Sequence, residues 1–278
     1  MRPDSPVQSH PDLILRPATV DVVGVPLAAT DYEQTLRWMD GMVAQRHRGY
    51  VCACNTHTVM ASREDPELRS ALLSSQALNV PDGQPLVWAM NALGYPLNDR
   101  VYGPELMARA FGRAAADTGH RFYLYGGRDQ EALLRLGLSL RRRFPGVDVV
   151  GGYAPPFRPL NPEERAAIAE EINESAADVV WVGIGVPKQE KWMAAMRPYL
   201  EAPVLVGVGA AFDFHAGLVP QAPQVLQRAG LEWAYRLARE PRRLWRRYLR
   251  YNPRFVVAFA RQLVAHRAVG EKSRIPYP

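Results

Sequence analysis

The sequence predicts an α/β protein, a Rossmann-like, mostly parallel sheet with helices on both faces, extended at its C-terminus by a basic helical appendage. Three observations predict it. From residue 19 onward, short β-branched runs alternate with segments of helical spacing, the pattern of parallel strands joined by helical crossovers. After Gly217 the alternation stops and helical patterns follow one another. The charge changes there too: residues 220–274 hold 13 Lys/Arg against 3 Asp/Glu, a local +10, so the rest of a chain with net charge +6 carries about −4. These shifts divide the chain into a flexible tail at 1–18, an α/β domain at 19–217 and an appendage at 218–278.

The expected strands are residues 20–25, 50–53, 77–80, 121–125, 147–150, 178–184 and 204–208. Thr30-Asp31-Tyr32-Glu33 has the Ser/Thr-x-x-Glu form of a capping box, with Thr30 as the cap. Leu36, Met39 and Val43 then recur at helical spacing. Asn161-Pro162-Glu163-Glu164 offers an N-cap, a proline at the first helical position and acids in the first turn. In the appendage, Arg236, Arg239, Arg243, Arg246, Arg247 and Arg250 recur every three or four residues, Trp233, Leu237, Leu244, Trp245 and Tyr248 supply apolar bulk, and Pro241 restarts the helix.

Composition narrows the class. With 47% hydrophobic and 22% charged residues the chain reads as globular. Its longest apolar runs, 203–212 and 255–260, fall well short of the roughly 20 residues that span a bilayer, and residues 1–17 lack the apolar stretch of a secretory signal. The two cysteines, Cys52 and Cys54, face one side of a strand and cannot easily pair, which suits a reducing cytoplasm. With His57 they form a partial ligand set that lacks a second pair, so no metal is expected.

Ligands of open α/β sheets bind beyond the carboxyl ends of the strands. Four turns stand there: Asn55-Thr56-His57, Pro81-Asp82-Gly83, Tyr125-Gly126-Gly127-Arg128, and the run from Gly183 to Glu190. Gly126 and Gly127 before a helix would let backbone N–H groups approach a phosphate. Asp82 at a strand end would accept a proton from an attacking hydroxyl, or merely cap the helix expected at 84–93. Lys188, Gln189 and Glu190 read most simply as a polar first turn, and Asp213 as a hydrogen-bond acceptor for a base or sugar, or as the cap of its own turn. No G-x-G-x-x-G, Walker or Asp-x-Asp sequence occurs, which weakens a dinucleotide oxidoreductase, a P-loop enzyme and a metal-dependent sugar-nucleotide enzyme in turn.

Read in order, these turns resemble the WecG/TagA/CpsF glycosyltransferases from about residue 20 to about residue 250. The resemblance rests on Pro81-Asp82-Gly83-Gln84-Pro85-Leu86-Val87-Trp88, Leu93-Gly94, Arg100-Val101, Pro187-Lys188-Gln189-Glu190-Lys191-Trp192, the run from Gly207 to Asp213, and Glu232-Trp233-Ala234-Tyr235-Arg236-Leu237. It implies Asp82 as catalytic base, with Asn55, Arg100 and Gln189 lining the site and Arg236, Arg243 and Arg246 reaching over the donor. Ala53, Glu105 and Gln221 depart from the family pattern, where threonine, aspartate and arginine are common. The implied reaction is metal-independent, inverting transfer of a hexose or N-acetylhexosamine-type sugar from a UDP-sugar to a polyprenyl-diphosphate-linked acceptor, for cell-surface polysaccharide. It would take place on the cytoplasmic face of the membrane, with the arginine- and aromatic-rich appendage on the anionic surface. The appendage also offers a surface for a homo-oligomer. A nucleic-acid-binding reading would use the same arginines, but the charge is confined to the tail and the four turns would then have no purpose.

Overall fold

Six runs of β-branched and aromatic residues pair in parallel because the helices between successive strands return the chain to the same end of the sheet. The computed structural model describes residues 16–272, so most of the tail expected at 1–18 lies outside the described residues. The strands are β3 (Gly49–Cys54), β4 (Ala77–Pro81), β5 (Arg121–Gly126), β6 (Asp148–Tyr153), β7 (Val179–Gly183) and β8 (Val204–Gly207), in the order β4-β3-β8-β7-β5-β6. All five pairings are parallel.

The first expected strand departs from this plan. Residues 20–25 are not one strand of the sheet but the centre of a separate antiparallel hairpin, β1 (Thr19–Val22) and β2 (Val25–Ala28). Val23 and Gly24, at φ 55° and 90°, make the two-residue turn between them. A tight turn with both central residues at positive φ matches the twist of paired antiparallel strands, and the β-branched run concealed it.

The sheet is buried on both faces, and period-two alternation sorts its side chains. Tyr50, Cys52 and Cys54 of β3, Tyr123 and Tyr125 of β5 and Val180 and Val182 of β7 point to one side. There they meet α2 (Thr56–Ala61), α3 (Pro66–Leu73), α4 (Gln84–Ala92), α7 (Pro162–Glu174), α8 (Lys188–Met196) and the hairpin. Val51, Phe122, Leu124, Val179 and Trp181 point to the other side, against α1 (Tyr32–Ala44), α5 (Gly103–Arg113), α6 (Gln130–Arg143) and α9 (Ala211–His215). Asp31, not Thr30, caps α1: its side chain accepts from Gln34 N–H, while Thr30 Oγ1 bonds Thr35 Oγ1. Asn161 and Glu164 form the expected capping box of α7.

Beyond α9 the chain forms α10 (Gln224–Arg228), α11 (Glu232–Arg239) and α12 (Pro241–Lys272). The last begins at Pro241, the first helical position where a missing N–H costs nothing. It packs along α2, with Phe255 buried in the core and Tyr251 edge-on to His57 at 4.8 Å. Thr56 Oγ1 donates to Asn252 Oδ1 at 3.1 Å, Arg250 and Arg254 pair with Glu64, and Gln262 bonds the hairpin at Val23 N–H and Asp21 O. No helix among the described residues is long and apolar enough to cross a membrane.

At the amino end of the sheet, opposite the turns that carry chemistry, Arg197 is almost fully buried. It donates to the carbonyls of Gly49, Leu200, Ala202 and Pro203, holding together the entries of β3 and β8. Replacing it with methionine keeps its bulk but removes the donors nearest the Leu200 and Ala202 carbonyls, so Arg197→Met is expected to lower unfolding free energy by about 2–5 kcal/mol in urea titrations.

Candidate active site

The cavity lies beyond the carboxyl ends of β3 and β4. Asn55, the residue after β3, caps α2: its Oδ1 accepts from His57 N–H at 3.0 Å and Thr58 N–H at 3.2 Å. That fixes the side chain and leaves its amide N–H groups for the cavity it lines. Asp82, the residue after β4, does not cap the following helix, whose N-cap is Gly83 without a side-chain bond. Its Oδ1 instead accepts from Gly103 N–H at 2.9 Å, at the first turn of α5. One carboxylate oxygen is therefore pinned, on a residue that lines the cavity.

Asp82 is enclosed on all but its cavity side. Desolvation pushes its carboxyl up to about 6, against the opposing pull of Arg100, while Glu232 adds to the rise and Gly103 N–H and Arg236 oppose it. A carboxylate with this affinity for protons suits general-base work near neutral pH. Gly83 permits the approach of the two turns, since a Cβ there would stand 3.3 Å from Asn55 Cβ.

Three guanidiniums line the cavity with this carboxylate. Arg100 is 9% exposed and held on all sides: Nη1 donates to Asp82 O at 3.3 Å, Nη2 to Glu232 Oε2 at 2.7 Å and to Gln227 Oε1 at 3.2 Å, and the group lies 4.2 Å over the Tyr102 ring. Arg236 of α11 and Arg247 of α12 also line the cavity, with Trp233, Tyr248 and Phe255 forming an apolar wall. His57 lines it as well, and burial with the charge of Arg247 lowers its imidazole to about 3, so it is neutral at physiological pH.

The structure thus gathers Asn55, Asp82, Arg100 and Arg236 around one cavity and disperses the other residues singled out in the sequence. Gln189 is fully buried and packs in the crook of the loop after β8, where a Cβ on Gly207 or Gly209 would lie 3.0 or 3.3 Å from its amide. Gly126, at φ 136°, is required by packing, because a Cβ there would lie 2.7 Å from the Gly183 backbone. Gly127 N–H donates to Gly183 O at 3.3 Å, and Asp129 caps α6. Asp213 is held by Arg128, with Nε and Nη2 at 3.0 and 3.2 Å from its two oxygens. Arg246 is exposed, 5.3 Å over Trp245, and the side chain of Arg243 lies outside the described residues.

Sequence reasoning passed over Glu232 and Arg247. Arg247 stands in the same helical run as Arg246, and only the docking of α12 on α2 decides which of the two turns inward. The first turn of α8, polar by sequence, is buried at both Gln189 and Glu190. Glu190 Oε1 accepts from Gln189 Nε2 at 2.9 Å, Oε2 has no hydrogen-bond partner among the described residues, and desolvation pushes the carboxyl up to about 7.

A carboxyl whose folded pKa lies above its unfolded value loses stability as pH rises between the two. Glu190→Gln removes that cost, so the gain in Tm of the variant over wild type is expected to be larger at pH 8 than at pH 5. Calorimetry at the two values measures it, and an equal difference would contradict the burial argument.

The cavity combines a carboxylate at a strand end, three guanidiniums and a helix-capping asparagine at one end of a doubly covered parallel sheet; of the residues the resemblance implies, it is lined by Asn55, Asp82, Arg100 and Arg236 but not by Gln189 or Arg246. The sequence profile described as the glycosyl transferase WecG/TagA/CpsF family matches residues 20–269, nearly the whole described chain, and the protein belongs to that family of glycosyltransferases.

Proposed function

We propose that this glycosyltransferase moves a hexose or N-acetylhexosamine-type sugar from a UDP-sugar to a polyprenyl-diphosphate-linked acceptor, by direct displacement with inversion and without a metal. The observation that carries the reading is Asp82, which lines the cavity with one oxygen pinned by Gly103 N–H and its carboxyl pushed up to about 6. In this reaction the acceptor hydroxyl gives its proton to Asp82 as its oxygen bonds the anomeric carbon. The bond from that carbon to UDP breaks, and UDP leaves with the electron pair. Arg236 and Arg247 supply the positive charge that a departing diphosphate needs, the work a divalent cation does in other sugar-nucleotide enzymes.

The outer surface of α12 supports a membrane-bound acceptor. Trp245, Leu249 and Val264 are exposed along a helix that also carries Arg246, Arg261 and Arg267, a mixture that lies well in a headgroup layer. In this reading residues 218–278 serve as the membrane-associating part of the enzyme, at the cytoplasmic face.

Asp82→Asn is expected to lower acceptor-dependent UDP release by about 10²–10⁴-fold with EDTA present throughout, the usual worth of a general base. In wild type, kcat/KM should rise with pH through about 6 as Asp82 loses its proton, and the variant should lack that limb. Full activity of Asp82→Asn would remove the base, and wild-type activity abolished by EDTA would remove metal independence.

Co-sedimentation with vesicles tests the surface. The chain is expected to bind vesicles containing anionic lipid and to release from them between about 50 and 500 mM salt, as screening shortens the reach of its arginines. Equal binding to neutral vesicles would contradict the electrostatic part.

A further inference from the structure

Glu232 has no assigned part in the reaction, yet it is the most constrained residue of α11. It is 8% exposed at the first turn of the helix, and both of its oxygens are taken by groups from the segment between β4 and α5. Oε2 accepts from Arg100 Nη2 at 2.7 Å and Oε1 from the Tyr102 hydroxyl at 3.1 Å. Gln227, just before α11, shares Arg100 Nη2 at 3.2 Å, and its own Nε2 donates to Ala222 O at 2.7 Å. The turn into the helix is fixed as well: Gly230 sits at φ 70°, and a Cβ there would stand 2.9 Å from the Trp88 ring of α4.

One helical turn beyond Glu232, on the same face, stands Arg236, which reaches the cavity beside Asp82. An ion pair with both partners about nine-tenths buried repays little of its desolvation, and its best-attested use is to fix register. Here the register is that of α11 across the mouth of the cavity. Apolar packing alone leaves it loosely set, since Trp233 and Leu231 are both more than two-fifths exposed.

We propose that Glu232 is a positioning residue: by engaging Arg100 and Tyr102 it anchors α11 over the cavity and thereby sets Arg236 against the diphosphate of the donor. The inference rests on the UDP-sugar reading for its ligand, and on the Glu232–Arg100–Tyr102 geometry for its mechanism. Arg100 then acts chiefly as the socket for Glu232, and the positive charge offered to the donor comes from α11 and α12. The site is complete only while the appendage is docked.

The test compares wild type, Glu232→Ala, Tyr102→Phe, Arg236→Ala and the double variant Glu232→Ala/Arg236→Ala, all as full-length chains. Hydrogen exchange over residues 232–239 reads the anchor, UDP titration reads the ligand, and donor and acceptor KM with kcat read the reaction. Exchange of α11 is expected to quicken in Glu232→Ala and, less, in Tyr102→Phe, while the six strands keep their protection. UDP affinity should fall on the order of tenfold in Glu232→Ala, the worth of one charge-assisted hydrogen bond, and equally in Arg236→Ala, with the double variant no weaker than either. Donor KM should rise while acceptor KM holds, a split that general damage to the fold would not give.

Unchanged exchange in α11 would overturn the anchor. Faster exchange with unchanged or tighter UDP binding would overturn the placement of Arg236 and show Glu232 to be a competitor for Arg100; additive losses in the double variant would also overturn it. A wild-type chain without affinity for UDP would instead remove the donor reading, and the exchange data would still decide whether Glu232 holds α11.

Discussion

A parallel sheet covered on both faces has no polar surface of its own, and that constraint arranges everything else in this molecule. Its strands are spent on burial, from Tyr50 and Val51 through Val204 and Val206. Chemistry is displaced to the first residues past the strand ends, where backbone N–H groups and helix starts are available. Asn55 and Asp82 are such residues, each the first past neighbouring strands β3 and β4. Because the strands are paired in register, Cys54 against Pro81, the two side chains arrive at one cavity without any loop having to be long.

Asp82 depends on its neighbours for its behaviour. Burial alone would keep the carboxyl protonated, and Arg100 alone would hold it ionised. The carboxylate of Glu232 sits on the far side of Arg100 and absorbs part of that guanidinium's charge. The result is a proton acceptor poised near neutrality, set by desolvation first and by a three-member charge chain second. The same chain joins the body of the protein to its basic end, as do the pairs of Glu64 with Arg250 and Arg254. An acidic body and a basic appendage are thus partners within one chain.

The long helix α12 has two different faces for this reason. Phe255, Tyr251 and Asn252 turn toward α2 and the site, where Val256 also lines the cavity, and Trp245, Leu249 and Val264 are exposed. Arg247 and Arg246 are adjacent in sequence and opposite in circumstance, the first lining the cavity and the second exposed over Trp245.

Much of this was legible in the sequence. Alternating β-branched runs and helical spacings give the doubly covered sheet, because period two and period 3.6 are set by backbone geometry and burial. The change of charge after Gly217 marks the helical end, and the strand-end rule finds Asp82 and Asn55. Where local signals were ambiguous the sequence misled: the unbroken β-branched run at 20–25 hid a hairpin turn, and the polar letters of Gln189 and Glu190 hid their burial. Gly126, Gly127 and Asp213 carry the residue types of a ligand turn but are consumed by packing against Gly183 and pairing with Arg128. No pattern within one segment could announce Glu232 with Arg100, separated by 132 residues, or choose Arg247 over Arg246. Residue type and spacing determine what a segment can offer; which offers meet is decided by how helices dock on the sheet, since only docking fixes which side chains lose water and which charges they find in its place.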